Sequence, residues 1–140
     1  MTEFRRYAIY YAPRPGAFAT ATASWLGWDC QTGQPVPHPD PPGLPQPIAA
    51  LTAAPRKYGF HGTIRAPFRL ADGVTAAEVA QAVDDMARDL PPVQLDGLAL
   101  HRIKGFLALT PTGDESDLLR LGAEVVSRSD ALRAPLTESE

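Results

Sequence analysis

Apolar positions recur along the chain with two periods, and the change from one to the other marks out the elements. Arg5 to Ala12 (RRYAIYYA) is rich in aromatic and β-branched residues and predicts a strand. On it Tyr7, Ile9 and Tyr11 share one face and Arg6, Ala8 and Tyr10 the other, before Pro13 and Pro15 stop it. The alanine-rich stretch from Gly16 to Trp28, with Phe18, Trp25 and Trp28, predicts a helix. A short helical turn is expected over Ile48 to Ala53, ended by Pro55. Tyr58 to Leu70 reads as two extended segments broken at Ala66-Pro67. Thr75 and Glu78 form a capping box, and Val79, Val83, Met86 and Leu90 follow on one helical face until Pro91-Pro92. Val93 to His101 and Gly105 to Thr110 predict a hairpin, with a bulge at Asp96-Gly97. Asp114 is expected to cap a last helix whose face is Leu118, Leu121 and Val125, with Leu119 and Val126 beside it. Pro135 to Glu140 then reads as another helix start, with Thr137 as cap and Glu140 at the capping-box position. A helix start at the last residues leads us to expect the front part of a longer protein.

Composition narrows this picture. The chain has 140 residues, 44% hydrophobic and 21% charged, which suits one small domain over 1–140. A proline-rich loop is expected over 30–47, because residues 35 to 47 hold seven of the fifteen prolines and neither helix nor central strand tolerates that. His38 inside it reads as a solvated loop histidine. The formal net charge of −3 provides no large basic field for nucleic acid. No apolar run is long enough to span a bilayer, and the N-terminus lacks the pattern of a secretory signal. The single cysteine, Cys30, allows no internal disulfide and no cysteine-cluster zinc site. These features point to a soluble, cytoplasmic protein without membrane contact.

One constellation carries chemistry. In Phe60-His61-Gly62-Thr63-Ile64-Arg65 a strand period of two places His61, Thr63 and Arg65 on one face. Imidazole can move a proton to or from an attacking or leaving oxygen. A threonine hydroxyl can hydrogen-bond a phosphate oxygen, and a guanidinium neutralises phosphate charge. A solvent-facing amphipathic strand would also show polar residues at this spacing, so the pattern alone leaves both readings open. Gly62 and Tyr58-Gly59 add weight, since a strand glycine can mark close approach by a ligand or backbone. His101-Arg102-Ile103-Lys104 is a second polar cluster, read as an exposed basic turn.

The wider order of motifs is more specific. RYAIYYAP at Arg6–Pro13, Trp25-Leu26-Gly27, YGFHGTIRAPFRL at Tyr58–Leu70, GFLAL at Gly105–Leu109 and LRAPL at Leu132–Leu136 follow one another. This resembles a family of small bacterial proteins encoded beside phosphonate-degradation genes, a branch of the 2H (two-histidine) phosphoesterase superfamily. The resemblance implies an α+β fold, mostly antiparallel sheet with flanking helices, in two similar lobes across a cleft. Each lobe would supply one His-x-Thr/Ser strand, the two histidines acting as general base and general acid. It places His61 in a proton-transfer role and Thr63 on the phosphate, with Arg65 and Tyr58 as substrate-binding residues. Its substrates would be cyclic phosphodiesters, nucleotide-like phosphate esters or RNA ends, with no cofactor and no metal.

The sequence departs from that pattern in having one His-x-Thr/Ser motif. His38 precedes Pro39-Asp40 and His101 precedes Arg102-Ile103. The resemblance therefore implies an incomplete two-lobed fold, completed by a C-terminal lobe beyond Glu140 or by a dimer. Two other classes compete with the phosphoesterase: a non-catalytic phosphate- or nucleotide-binding accessory module, and an interaction domain using the proline-rich loop.

Overall fold

A computed structural model of the chain describes residues 4–137. It is α+β, with three two-stranded sheets and five α-helices among the described residues. The elements are β1 (Tyr7–Tyr11), α1 (Ala17–Leu26), β2 (Trp28–Asp29), β3 (Gln34–Pro35), α2 (Ile48–Leu51), α3 (Ala53–Arg56), β4 (Gly62–Phe68), α4 (Ala76–Asp89), β5 (Gly97–Ile103), β6 (Phe106–Thr112) and α5 (Ser116–Arg128). β1 pairs with β4, while β2–β3 and β5–β6 are antiparallel pairs. The chain divides into two compact units, Tyr10–Thr63 and, among the described residues, 4–9 with 64–137. No helix among the described residues is long and apolar enough to cross a membrane.

In the second of these units the core is Ile9, Met86 and Val125, with Ile64, Val83, Leu90 and Leu121 packed against it. The stripe on α4 is the predicted one, with Val79 and Met86 buried. Its capping box is complete: Thr75 Oγ1 accepts from Glu78 N–H and the Glu78 carboxylate accepts from Thr75 N–H at 2.7 Å. α5 presents Val125 inward and leaves Leu119 and Val126 exposed. Asp114 serves its start one residue ahead of the cap position, accepting from Ser116 N–H at 2.9 Å. The ending Leu132–Leu136 is tied to Arg69–Ala71, through Ala71 N–H to Leu132 O (2.9 Å), Ala134 N–H to Arg69 O (2.8 Å) and Arg69 Nη2 to Pro135 O (2.7 Å). The expected helix start at Thr137 runs into Glu138–Glu140, outside the described residues.

Three boundaries differ from expectation. The hairpin strand begins at Gly97, so Val93 to Asp96 are not extended into a bulged strand. Lys104, at φ 58, makes the tight connection, closing on the Ile103–Phe106 pair. β4 runs unbroken through Ala66-Pro67, because in a two-stranded sheet a proline can occupy an open edge without losing a ladder bond.

The Tyr10–Thr63 unit has few buried apolar side chains, and several polar ties run through it. α1 ends two residues before Trp28, because Gly27 at φ 76 takes the left-handed C-terminal position, its N–H reaching Ala23 O at 2.8 Å. Trp28 thereby enters the small β2–β3 hairpin, which occupies part of the expected proline-rich loop. Arg56 Nε donates to Leu26 O (2.9 Å) and its Nη2 to Thr52 Oγ1 (3.0 Å) and Ala49 O. One guanidinium thus joins α1, α2 and α3. Pro55 lies inside α3 rather than ending the preceding turn, since an N–H in a first helical turn has no intrahelical partner to lose. His38 is not a freely solvated loop residue: its Nδ1 lies 3.1 Å from Trp25 O, and its ring stands where a Gly27 side chain would be.

Candidate functional site

The end of α3 sets the position of His61. Gly59 is buried and adopts φ 71, with its N–H bonded back to Pro55 O at 3.2 Å. A side chain there would be strained, and its Cβ would lie 2.6 Å from Cys30 Cβ. The turn brings the Gly59 carbonyl to 3.0 Å from His61 Nδ1. A carbonyl can only accept, so Nδ1 carries the hydrogen and Nε2 of the neutral ring holds the free lone pair. Nε2 makes no hydrogen bond among the described residues. Rings surround the imidazole. Tyr10 stacks on it at 4.2 Å between centroids and 30° between planes, and Tyr58 stands at 6.1 Å, tilted by 51°. Behind them Phe60 meets Phe18 edge to face at 5.4 Å, and its carbonyl lies 3.5 Å from Cys30 Sγ.

His61 is half-buried and lies just before the strand, which begins at Gly62. The expected alternation of His61, Thr63 and Arg65 along one strand face is therefore broken at its first member. Thr63 is exposed near the start of β4, and Tyr58 is exposed beside the histidine. Gly62 leaves ordinary room, with an added Cβ 3.8 Å from Tyr11, so no close approach demands a glycine there. A cavity of about 10 Å³ lies behind Phe60, and a hollow of about 430 Å³ follows the loop from Asp40 to Ile48; His61 lines neither. Among the described residues no group of three histidine, cysteine or acidic side chains is set to hold a metal.

Arg65 falls in the other unit and is buried, at 6% exposure. Its guanidinium donates to Val126 O (2.5 Å) and to Ser129 Oγ (3.1 Å), pairs with Asp130 (3.3 Å) and lies 5.0 Å over the Phe68 ring. A cation at the last carbonyls of α5 is also favoured by the helix dipole. With its donors engaged in this way, Arg65 holds β4 to the end of α5. Bonds to Arg133 and then to Arg65 keep the Asp130 carboxyl below its usual range. On the hairpin His101 pairs with Thr110 across the strands, Nδ1 to Oγ1 at 2.5 Å, and Arg102 Nε turns back to Lys104 O at 3.0 Å.

Tyr10 is the residue that pattern reading left out of the site. Its place on the face opposite Ile9 was visible, but contact with a histidine fifty-one residues on depends on how β1 lies beside β4.

Comparison with known proteins adds a lineage. The chain is 36% identical over 137 residues to a protein of Janthinobacterium sp. (strain Marseille) named ribose 1,5-bisphosphate phosphokinase PhnN, covering 96% of this chain and 30% of that protein. It is 37% identical over 131 residues to a protein of the same name from Laribacter hongkongensis (strain HLHK9), covering 93% and 31%. The chain thus spans about a third of the length of the curated relatives it matches. No solved structure matches it. A family model described as protein of unknown function (DUF1045) matches residues 63–140, more than half of the chain, which therefore belongs to that family.

Proposed function

We propose that this chain is part of a phosphoesterase linked to phosphonate metabolism, acting on a cyclic or nucleotide-like phosphate ester by metal-independent histidine acid–base catalysis on a 2H-type fold. The observation that carries this reading is the anchored imidazole, with Nδ1–H on Gly59 O and Nε2 free of protein partners among the described residues. Such a ring can take a proton from an attacking water as the new P–O bond forms, or return one to the leaving oxygen as the ester P–O bond breaks. The exposed Thr63 hydroxyl is suited to a non-bridging phosphate oxygen, and exposed Tyr58 to the organic part of the ester. The proton for the other oxygen is assigned to a second His-x-Thr/Ser strand, in a C-terminal lobe or a second copy. Arg65 is left out of the phosphate site because its guanidinium is held by α5.

The relatives' name supports phosphate-ester chemistry on a ribose derivative. Their kinase activity is not carried over, since the chain spans 30–31% of them and neither of its lysines, Lys57 and Lys104, stands in a Gly-Lys-Ser/Thr phosphate-loop motif. The single His-x-Thr motif favours a second reading, an accessory module that binds phosphate without turning it over. Phosphorus NMR of the protein with a 2′,3′-cyclic nucleotide and with ribose phosphates distinguishes them. Ring opening to a monoester, unaffected by a chelator, is expected. Saturable binding with no new phosphorus signal would contradict the phosphoesterase and support the module.

A further inference from the structure

The contact between Tyr10 and His61 lies just outside β4, which begins at Gly62, and it falls on the group to which the proposed chemistry is assigned. An imidazole ring turns about a broad, roughly two-fold torsion, so a partly exposed histidine exchanges the positions of its two nitrogens readily. Here two of its surfaces are occupied. The Nδ1 edge is capped by Gly59 O at 3.0 Å, and one face is covered by the Tyr10 ring at 4.2 Å and 30°. The carbonyl alone would compete with water for Nδ1–H at this half-exposed position. A stacked aromatic face restricts the rotation that would break that bond.

We infer that Tyr10 is a positioning residue for His61: its ring, not its hydroxyl, holds the imidazole on Gly59 O so that Nε2 is the nitrogen offered to substrate. The hydroxyl has no part in this, for no hydrogen bond from Tyr10 joins the stack among the described residues. Tyr58, farther away and steeply tilted, cannot supply the same restraint. The inference rests on the role proposed for His61, but it concerns a property of the ring that can be read without turnover.

The test uses three versions of the protein: wild type, Tyr10→Phe and Tyr10→Leu. Nitrogen-15 NMR at a pH where His61 is neutral reads which ring nitrogen carries the hydrogen, and steady-state kinetics on a cyclic phosphodiester reads the consequence. Wild type and Tyr10→Phe are expected to show one tautomer, protonated at Nδ1. Tyr10→Leu is expected to show a mixture, with kcat lower by roughly 10- to 100-fold, as a misplaced catalytic group produces, and KM within about threefold. Tyr10 is 40% exposed, so neither replacement opens a core. A Tyr10→Leu protein with the wild-type tautomer overturns the inference, as does a Tyr10→Phe protein as disturbed as Tyr10→Leu. Absence of turnover in wild type would remove the phosphoesterase reading, and the tautomer spectra would still decide the role of Tyr10.

Discussion

At the scale of single residues, similar neighbours along β4 have opposite fates. Arg65 is buried with its charge paired, and Thr63 is left in the open. Removing the buried guanidinium takes a donor from the Val126 carbonyl and from the fully buried Ser129 Oγ, which keeps only its own bonds to the Val125 and Val126 carbonyls. Arg65→Ala is therefore expected to cost roughly 2–4 kcal/mol in urea unfolding. Asp130→Asn should cost less than Arg65→Ala, because that carboxylate is 57% exposed and screened by water. An Arg65→Ala protein as stable as wild type would contradict the structural role given to it. The His-x-Thr pair stands out in the sequence because its residue types are local signals, whatever their role. The fate of Arg65 is not legible there, since nothing local to it announces that Val126, Ser129 and Asp130 wait sixty-one to sixty-five residues on.

At the scale of elements, helix ends and turns place the side chains that matter. Gly59→Ala would put a Cβ at φ 71 and against Cys30, so a loss of roughly 1–3 kcal/mol is expected, together with reduced turnover through the displaced His61 anchor. Thr75→Ala removes the Thr75 half of the box on α4 and should cost about 1 kcal/mol at neutral pH. The same caps give acid sensitivity a definite sign. Glu78 is held low by the Thr75 N–H and hydroxyl, Asp114 by the Ser116 N–H and hydroxyl, and Asp130 chiefly by Arg133. Each contributes stability that is complete above the ordinary carboxylate range and lost as pH falls through the lowered folded value. Thermal midpoints should thus be level from neutrality to about pH 5 and decline below about pH 4, less steeply in Thr75→Ala. A midpoint that rises on acidification would contradict the account. α4 was readable almost residue for residue because its box and stripe are local signals. The start of β5 and the continuity of β4 were not, since both are decided by the partner strand.

At the scale of the whole molecule, the core cluster joins β1, β4, α4 and α5 and leaves the β5–β6 hairpin with an apolar face of Leu98, Leu100, Leu107 and Leu109 exposed. A two-stranded hairpin has little stability of its own. Its amides are expected to exchange with deuterium well before those of α4 and α5; equal protection would show that this face is covered in solution. Alternation in the sequence reported the hairpin but not which face would find a cover, because that depends on surfaces distant in the chain. The central claim concerns His61, and one comparison tests it most directly: the rate of ring opening of a cyclic phosphodiester by the protein and by its His61→Ala variant. The account expects a fall of roughly 10²–10⁴-fold, the usual worth of a positioned proton-transfer group, with Thr63→Val falling less. An undiminished rate in His61→Ala would contradict it.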